Sequence, residues 1–258
     1  MRLTPVPALV DNYIWLLDDG ANAIAVDPGA ARPLLDHLAA QGLRLTGILL
    51  THHHPDHVAG SDALLSAFPE ARVFAPHDSR IEVGAVRVAE GNEARFESPE
   101  VVFSVIEVPG HTASHIAYVG SNAVFCGDTL FSLGCGRMFE GTPAQFSNSL
   151  TRLATLPGET LVCCGHEYTV ANGHFAKFVD PGNKALVERI ADASRLRERG
   201  LPTLPSSIEK ECATNPFLRR GCPEIVEGLT NRHGRPPRDE IEGFAWLRAW
   251  KDDFRVAA

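Results

Sequence analysis

A dense histidine cluster at the end of an apolar run restricts the fold of this chain more than any other feature. Residues 45–52 (LTGILLTH) are typical of a buried strand, and THHHPDH follows at 51–57. This segment contains four histidines and one aspartate: His52, His53, His54, Asp56 and His57. Imidazoles and carboxylates are typical ligands of zinc or iron. The sequence therefore predicts a metal-binding loop at the carboxyl end of a core strand.

Three more candidate ligands follow apolar runs later in the chain. His111, Asp128 and His166 each come directly after a glycine that ends such a run. Glycine permits close backbone approach and unusual dihedral angles at these points. With His52, His54, Asp56 and His57 the candidates are sufficient for two metal ions and too many for one four-coordinate zinc.

Short apolar runs alternate with segments of helical spacing over the first two thirds of the chain, which indicates a mixed α/β fold. The predicted strands are 12–19, 23–29, 45–52, 71–76, 101–111, 115–120, 123–130 and 160–167. The predicted helices of this part are 31–41, 60–68 and 143–156.

The pattern changes near residue 170. Residues 183–200 form a charged amphipathic segment that ends at Gly200, a Pro-rich connection follows, and 242–254 has helical character. We predict a catalytic domain over 1–170 and a smaller helical, substrate-binding domain over 171–258.

Composition limits the kinds of binding partner and the cellular location that we expect for this chain. The 258 residues carry a net charge of −8, which argues against a general nucleic-acid or membrane-surface binder. The six cysteines form no CxxC pair, so we interpret them as reduced thiols. The amino-terminal segment lacks the long apolar run of a signal peptide, and no stretch approaches the roughly 20 apolar residues of a membrane span. We expect a cytoplasmic monomer.

The pattern T-H-x-H-x-D-H, followed by separate His, Asp and His residues, resembles the metallo-β-lactamase superfamily. The resemblance implies an αββα sandwich with the metals at one edge. It also implies a partition of the ligands. His52, His54 and His111 would hold the first metal, Asp56, His57 and His166 the second, and Asp128 would bridge them.

Two neighbouring residues allow two interpretations each, and a third allows one. Asp27, in the VDPG segment, is either an anchor for a metal ligand or a simple turn residue. His115 is either a hydrogen-bonding partner of a ligand or a core histidine. His53 lies between two ligands and is expected to point away from them.

The expected chemistry is hydrolysis. Two metals about 3.5–4 Å apart can share a water molecule and lower its pKa toward 7. The resulting bridging hydroxide would attack a carbonyl, oriented by Asp56 and Asp128, and a thiolate would leave. No G-x-S-x-G motif offers a serine nucleophile.

The resemblance narrows to the hydroxyacylglutathione hydrolase (glyoxalase II) family. It rests on DNYIWLL, PGHTASH, GDTLFSLGCGRMFEGT, CCGHEYT, NPFLR and AWLRAWKDDF, which extend into the helical tail. It implies hydrolysis of S-D-lactoylglutathione to D-lactate and glutathione, with two divalent ions. We expect zinc first, with iron or manganese as alternatives that the same ligands would accept.

By the same resemblance Arg137, Tyr168 and Arg219 contact glutathione, because arginine can clamp a carboxylate. Each arginine could instead be a solvated surface charge. Arg220 and Lys251 are further candidates for a basic rim. Phe139 stands where some family members have Tyr, which removes one hydroxyl contact.

Several other functions fit parts of the pattern. A persulfide dioxygenase on the same fold would use a single iron and a glutathione persulfide, but it does not need the complete second ligand set. A nuclease would need a phosphate-binding surface, and a lactonase could use the same metals. A non-catalytic binding protein would be expected to have lost ligands.

Overall fold

The computed structural model describes residues 1–255, which form two compact units that interleave along the chain. Unit 1 comprises Met1–Glu107, Ser114–Gly127 and Cys163–Glu167. Unit 2 comprises Val108–Ala113, Asp128–Val162 and the described residues from Tyr168 onward. The boundary expected near residue 170 remains a prediction.

Unit 1 contains a six-stranded sheet in simple sequential order. Its strands are β1 (Arg2–Ala8), β2 (Asn12–Asp18), β3 (Asn22–Val26), β4 (Arg44–Leu49), β5 (Arg72–Pro76) and β6 (Val86–Val88). The first three pair antiparallel and the remainder pair parallel. The helices of this unit are α1 (Ala31–Gln41), α2 (Pro55–Val58) and α3 (Ser61–Ala67). Leu34, Leu38 and Leu64 bury the inner faces of α1 and α3 in one core cluster with this sheet.

A second, antiparallel sheet of unit 1 contains β7 (Glu93–Glu97), β8 (Glu100–Glu107), β9 (Ile116–Gly120) and β10 (Ala123–Gly127). Strand β13 (Leu161–Cys164) lies next to β10. Alternate residues of β7 and β8 are buried, which is the period-two pattern of a sheet with one apolar face.

The two sheets of unit 1 pack face to face through aromatic side chains. Phe74 of β5 meets Phe96 of β7 edge to face, with ring centroids 5.3 Å apart. A side chain at Gly47 of β4 would collide with Phe96 at 2.1 Å. Trp15 of β2 donates its indole N–H to the carbonyl of Cys164. The sheets therefore enclose a common apolar interior, as the sandwich prediction requires.

Unit 2 is mainly helical. Its helices are α4 (Pro143–Ala154), α5 (Thr169–Val179), α6 (Lys184–Glu198), α7 (Ile208–Thr214), α8 (Pro223–His233) and α9 (Glu240–Asp253). It also holds the short strands β11 (Leu130–Phe131), β12 (Gly134–Cys135) and β14 (Ser206–Ser207). Four of the helices begin at a side-chain cap, which satisfies free backbone N–H groups: Thr142, Asn183, Ser207 and Asp239.

The predicted elements are confirmed in type, but several strands end earlier than expected. Strand β4 ends at Leu49, β8 at Glu107 and β13 at Cys164, so each candidate ligand that follows lies outside its strand. Gly127 ends β10 with φ of 47°, a conformation that other residues rarely adopt. The sequence analysis did not anticipate β1, β6, β7, β12 or β14, nor α2, α5, α7 or α8.

Over residues 1–255, none of the helices combines the length and the apolar character that a bilayer span requires.

Candidate metal centre

The turn after β4 places four candidate ligands at one end of unit 1. His52 is fully buried and His57 is 1% exposed, whereas Asp56 is half-buried. Asp56 and His57 lie on α2, a single turn that Pro55 opens, where the sequence had predicted only a loop. The close approach of α2 to Gly29 requires a glycine, because a Cβ atom at position 29 would lie 1.8 Å from the Asp56 carbonyl oxygen.

Asp56, His57 and His166 converge on one point. One ligand atom from each of the three lies within 4.8 Å of the other two. Asp56 Oδ2 is 3.5 Å from His57 Nε2 and 3.4 Å from His166 Nε2. The structure thus brings together the three residues that the resemblance assigned to the second metal.

A carboxylate orients each imidazole of this set through the opposite ring nitrogen. Asp27 Oδ2 is 3.0 Å from His57 Nδ1, and Asp11 Oδ1 is 2.8 Å from His166 Nδ1. Such a contact keeps a proton on Nδ1, so Nε2 faces Asp56, where it can donate a hydrogen bond or, once deprotonated, bind a metal ion. Asp27 is therefore an anchor rather than a simple turn residue. Its backbone has φ of 51°, a strained conformation of the kind found at functional sites.

His52 and His54 lie next to this set, and the contacts around them show the roles of His115 and His53. The rings of His52 and His54 are 4.7 Å apart, and His52 Nδ1 is 3.0 Å from the Thr51 hydroxyl. His115 stacks on His52 at 4.5 Å and is itself fully buried, so it supports this candidate ligand from within the core. His53 directs Nδ1 toward Asp78 at 3.4 Å, as expected for a residue outside the ligand set.

Unit 2 holds the remaining two candidate ligands, His111 and Asp128. His111 Nε2 is 3.4 Å from Asp128 Oδ2, and both residues are buried. His111 Nδ1 contacts the Arg137 carbonyl at 2.7 Å, which leaves Nε2 as the ligand atom here too. A side chain at Gly136 would meet the Asp128 carbonyl at 2.0 Å.

Within unit 1, Asp56, His57 and His166 form a donor set that fits a divalent metal ion. His57 and His166 direct Nε2 toward Asp56 while a hydrogen-bond acceptor engages Nδ1. Within unit 2, His111 has the same arrangement with Asp128 and the Arg137 carbonyl. Imidazole nitrogen and carboxylate oxygen are ligands of zinc, iron and manganese alike. The hydrogen bond from His166, with the charge of His57 and a hydrogen bond from Asn12, holds the pKa of Asp56 well below its usual range. Asp56 is therefore ionised, as a metal ligand must be.

The predicted glutathione contacts all lie in unit 2 and differ in exposure. The Arg137 side chain is 70% exposed, with Nε 3.8 Å from Asp252 Oδ1 of α9. Tyr168 precedes α5, and its ring meets Phe131 edge to face. Arg219 donates to the buried Asp180 at 3.1 Å, so an ion pair already engages part of its guanidinium group.

The two further basic candidates have separate environments. Arg220 is buried and donates to the Phe217 carbonyl, Thr151 and Glu240, so it is a structural residue and not part of a basic rim. Burial, together with the nearby charges of Arg248 and Arg137, lowers the pKa of Lys251 to about 8, although Cys135 and Asp252 oppose the shift.

Phe139 is 61% exposed and its ring lies 5.2 Å from the ring of His111. Phe139 therefore lies against His111, one of the candidate ligands.

The sequence analysis missed a buried polar network that holds the loop after Asp128. Glu211 is fully buried and accepts hydrogen bonds from Leu133 N, the Asn215 amide and the Ser206 hydroxyl. Asn215 also donates to the carbonyls of Phe131 and Gly134 at 2.9 Å. The Asn-Pro of NPFLR had indicated a fixed turn, and Phe217 N donates to Asn215 Oδ1 to close it.

Asp11 and Asn12 were also missed as parts of the site. They had been singled out only as the beginning of DNYIWLL. No local sequence pattern could have predicted their contacts with the candidate ligands, because His166 lies 155 residues from Asp11 and Asp56 lies 44 residues from Asn12.

Two family models together match nearly the whole chain. The model of the metallo-β-lactamase superfamily matches residues 8–166, and the model of the hydroxyacylglutathione hydrolase C-terminus matches residues 167–254.

Similar proteins agree with these models. Hydroxyacylglutathione hydrolase from Xylella fastidiosa (strain M12) is 51% identical over 99% of this chain and 98% of its own length. The protein of the same name from Xanthomonas euvesicatoria pv. vesicatoria (strain 85-10) is 52% identical over 99% of this chain and all of its own length.

Solved structures share the fold at lower identity. ETHE1 from Myxococcus xanthus is 28% identical, with a TM-score of 0.64 and coverage of 97% of this chain and 100% of that one. The BLEG-1 B3 metallo-beta-lactamase is 22% identical, with a TM-score of 0.64 over 84% of this chain and 99% of that one, and this likeness shows the fold alone. The chain has the metallo-β-lactamase fold and belongs to the hydroxyacylglutathione hydrolase family.

Proposed function

We propose that this chain hydrolyses the thioester of S-D-lactoylglutathione to D-lactate and glutathione, a step of methylglyoxal detoxification. The observation that carries the proposal is the convergence of Asp56, His57 and His166, with a carboxylate behind each imidazole. Identity of 51–52% to relatives named hydroxyacylglutathione hydrolase supports the class of substrate. We expect a cytoplasmic monomer without nucleic-acid or membrane partners.

We further propose that seven residues hold two divalent ions, with zinc as the preferred metal. His52, His54 and His111 would form one set, Asp56, His57 and His166 the other, and Asp128 would belong to both. Such ions supply Lewis acidity and lower the pKa of water that they bind.

The side chains of the site have distinct roles in the reaction. Asp56 and Asp128 accept hydrogen bonds from the attacking water and aim its lone pair at the thioester carbonyl. Asp56 suits this role because its hydrogen bonds keep it ionised. The leaving sulfur has a thiol pKa of about 8.5, so it can depart as a thiolate at neutral pH without full protonation.

The glutathione moiety carries two carboxylates, and we propose that Arg137, Tyr168 and Arg219 contact it. Arg137 is the most exposed of the three and lies beside α9, next to Lys251. A carboxylate that binds there would meet two cations. The Asp180 pair of Arg219 leaves its remaining N–H groups for substrate.

The assay that tests the function combines turnover and metal analysis on one sample. We expect purified protein to consume S-D-lactoylglutathione, followed as loss of the thioester, with about two metal ions per chain. Protein stripped with a chelator should lose at least about 10³-fold in rate, and zinc should restore it. Negligible turnover, one iron per chain and oxygen uptake with glutathione persulfide would contradict the proposal and favour the dioxygenase.

The environment of Lys251 predicts a pH dependence of KM. Below about pH 8 Lys251 is protonated and attracts a substrate carboxylate. As the pH rises through 8 the charge is lost, so KM should rise by about tenfold between pH 7 and 9.5, equivalent to about 1.4 kcal/mol. Steady-state kinetics across this range measure the change.

Two variants of Lys251 separate this cause from titration of the substrate. Lys251→Arg keeps its charge, so its KM should stay nearly constant over the same range. Lys251→Met should have a raised KM already at pH 7, without a further rise. A wild-type profile in the Lys251→Met variant would show that Lys251 does not contact substrate.

A further inference from the structure

The turn between β1 and β2 has an unusual distribution of side chains. Its tip is apolar, with Val10 96% exposed and Leu9 56% exposed at φ of 52°. The next two residues are polar and turned inward, and Asn12 is 7% exposed. Stability alone would favour the opposite arrangement, because buried polar groups need partners and apolar ones gain from burial. The inward polar residues therefore need another explanation.

Asp11 and Asn12 each contact a different ligand of the second metal set. Asp11 Oδ1 is 2.8 Å from His166 Nδ1. The Asn12 amide donates to Asp56 Oδ2 at 3.0 Å and to the Asp56 carbonyl at 3.2 Å. Two adjacent residues, the last of the turn and the first of β2, thus reach two candidate ligands that are themselves 110 positions apart in the sequence.

The backbone of the turn holds the His166 segment on both sides. Tyr13 N donates to the Gly165 carbonyl, and Glu167 N donates to the Asp11 carbonyl, both at 2.8 Å. Asn12 and His166 form an antiparallel bridge between these bonds. His166 is therefore fixed in position by the main chain and in ring orientation by Asp11.

We propose that Asp11 and Asn12 are positioning residues that set the affinity of the second metal site. The inference rests on the proposed two-metal function and adds residues that act through His166 and Asp56. Asp27 orients His57 in the same way, but it is 5% exposed, whereas the Asp11 side chain is 35% exposed. Replacement of Asp11 therefore removes one orienting contact without opening the core.

Zinc titration of the stripped full-length protein, in competition with a chromophoric chelator, tests the proposal. The wild type should bind two equivalents. Asp11→Ala should bind the second equivalent about 10- to 100-fold more weakly and the first with unchanged affinity. The affinity of Asp11→Asn for the second equivalent should lie between those of the wild type and Asp11→Ala, since its amide oxygen still accepts from Nδ1–H but carries no charge. Asn12→Ala should also weaken only the second equivalent.

Asp19→Ala is a matched control. Asp19 lies at the next hairpin turn of the same sheet, where it accepts hydrogen bonds from Ala21 N and Asn22 N and contacts no ligand. The Asp19→Ala variant should bind both zinc equivalents with wild-type affinity. Saturating zinc should restore kcat in Asp11→Ala, which a general folding defect would prevent.

Two results would overturn the proposal. One is unchanged affinity for the second equivalent in Asp11→Ala, with or without a lower unfolding midpoint of the metal-free protein, and the other is equal weakening of both sites. The readout uses zinc alone. A wild type that binds two ions but does not cleave the thioester would therefore contradict the proposed function and leave this inference intact.

Discussion

Asp128→Ala is expected to lower kcat/KM for S-D-lactoylglutathione by about 10³-fold, which corresponds to about 4 kcal/mol of transition-state stabilisation. Asp128 is buried, with Oδ2 3.4 Å from His111 Nε2. Its removal deletes a ligand that we propose to be common to both metals, and with it a carboxylate that orients the attacking water. Steady-state kinetics and metal analysis of the same preparation measure the loss.

The control for this prediction is Asp62→Ala. Asp62 is an exposed residue in the first turn of α3, so the variant should keep wild-type kinetics and metal content. Circular dichroism should show that Asp128→Ala is folded. If Asp128→Ala kept wild-type turnover and full metal content, Asp128 would be neither a ligand nor a catalytic residue.

Glu211→Ala is expected to lower the free energy of unfolding by about 4 kcal/mol, a large part of the 5–15 kcal/mol of a typical domain. The variant leaves two buried donors without their acceptor, namely Leu133 N and the Ser206 hydroxyl, and removes a further contact of the Asn215 amide. Each buried donor left unsatisfied costs about 1–3 kcal/mol. Urea denaturation of the metal-loaded protein measures the change.

Glu209→Ala provides the comparison on the same helix. Glu209 is exposed in the first turn of α7, and its loss should cost under about 1 kcal/mol. Glu211→Gln should be intermediate, because an amide oxygen can still accept some of these bonds. Equal unfolding free energies for Glu211→Ala and Glu209→Ala would show that the network contributes little.

The Glu211 network also links the helical part of unit 2 to His111, a candidate metal ligand. Asn215 and Glu211 hold the backbone from Phe131 to Gly134. The chain then continues to Arg137, whose carbonyl engages His111 Nδ1. The helices that follow Asp128 therefore do more than contribute possible substrate contacts, since they fix the loop that orients His111.

The candidate ligands could be proposed from the sequence because that proposal depends on residue type and local spacing. His52, His54, Asp56 and His57 lie within six residues and directly after a core strand, so their proximity needs no knowledge of the fold. The alternation of strands and helices was readable for the same reason, since periodicity is a local property. Short strands such as β6, β12 and β14 span two or three residues and carry no such period.

The tertiary structure alone decided which residues support those ligands. Asp11 contacts His166 across 155 positions, and Glu211 contacts Leu133 across 78. It also separated Arg220, a buried structural cation, from Arg137, which remains exposed. In sequence an anchoring aspartate and a turn aspartate look the same, because only the packing of distant segments brings a partner to one of them and leaves the other in solvent.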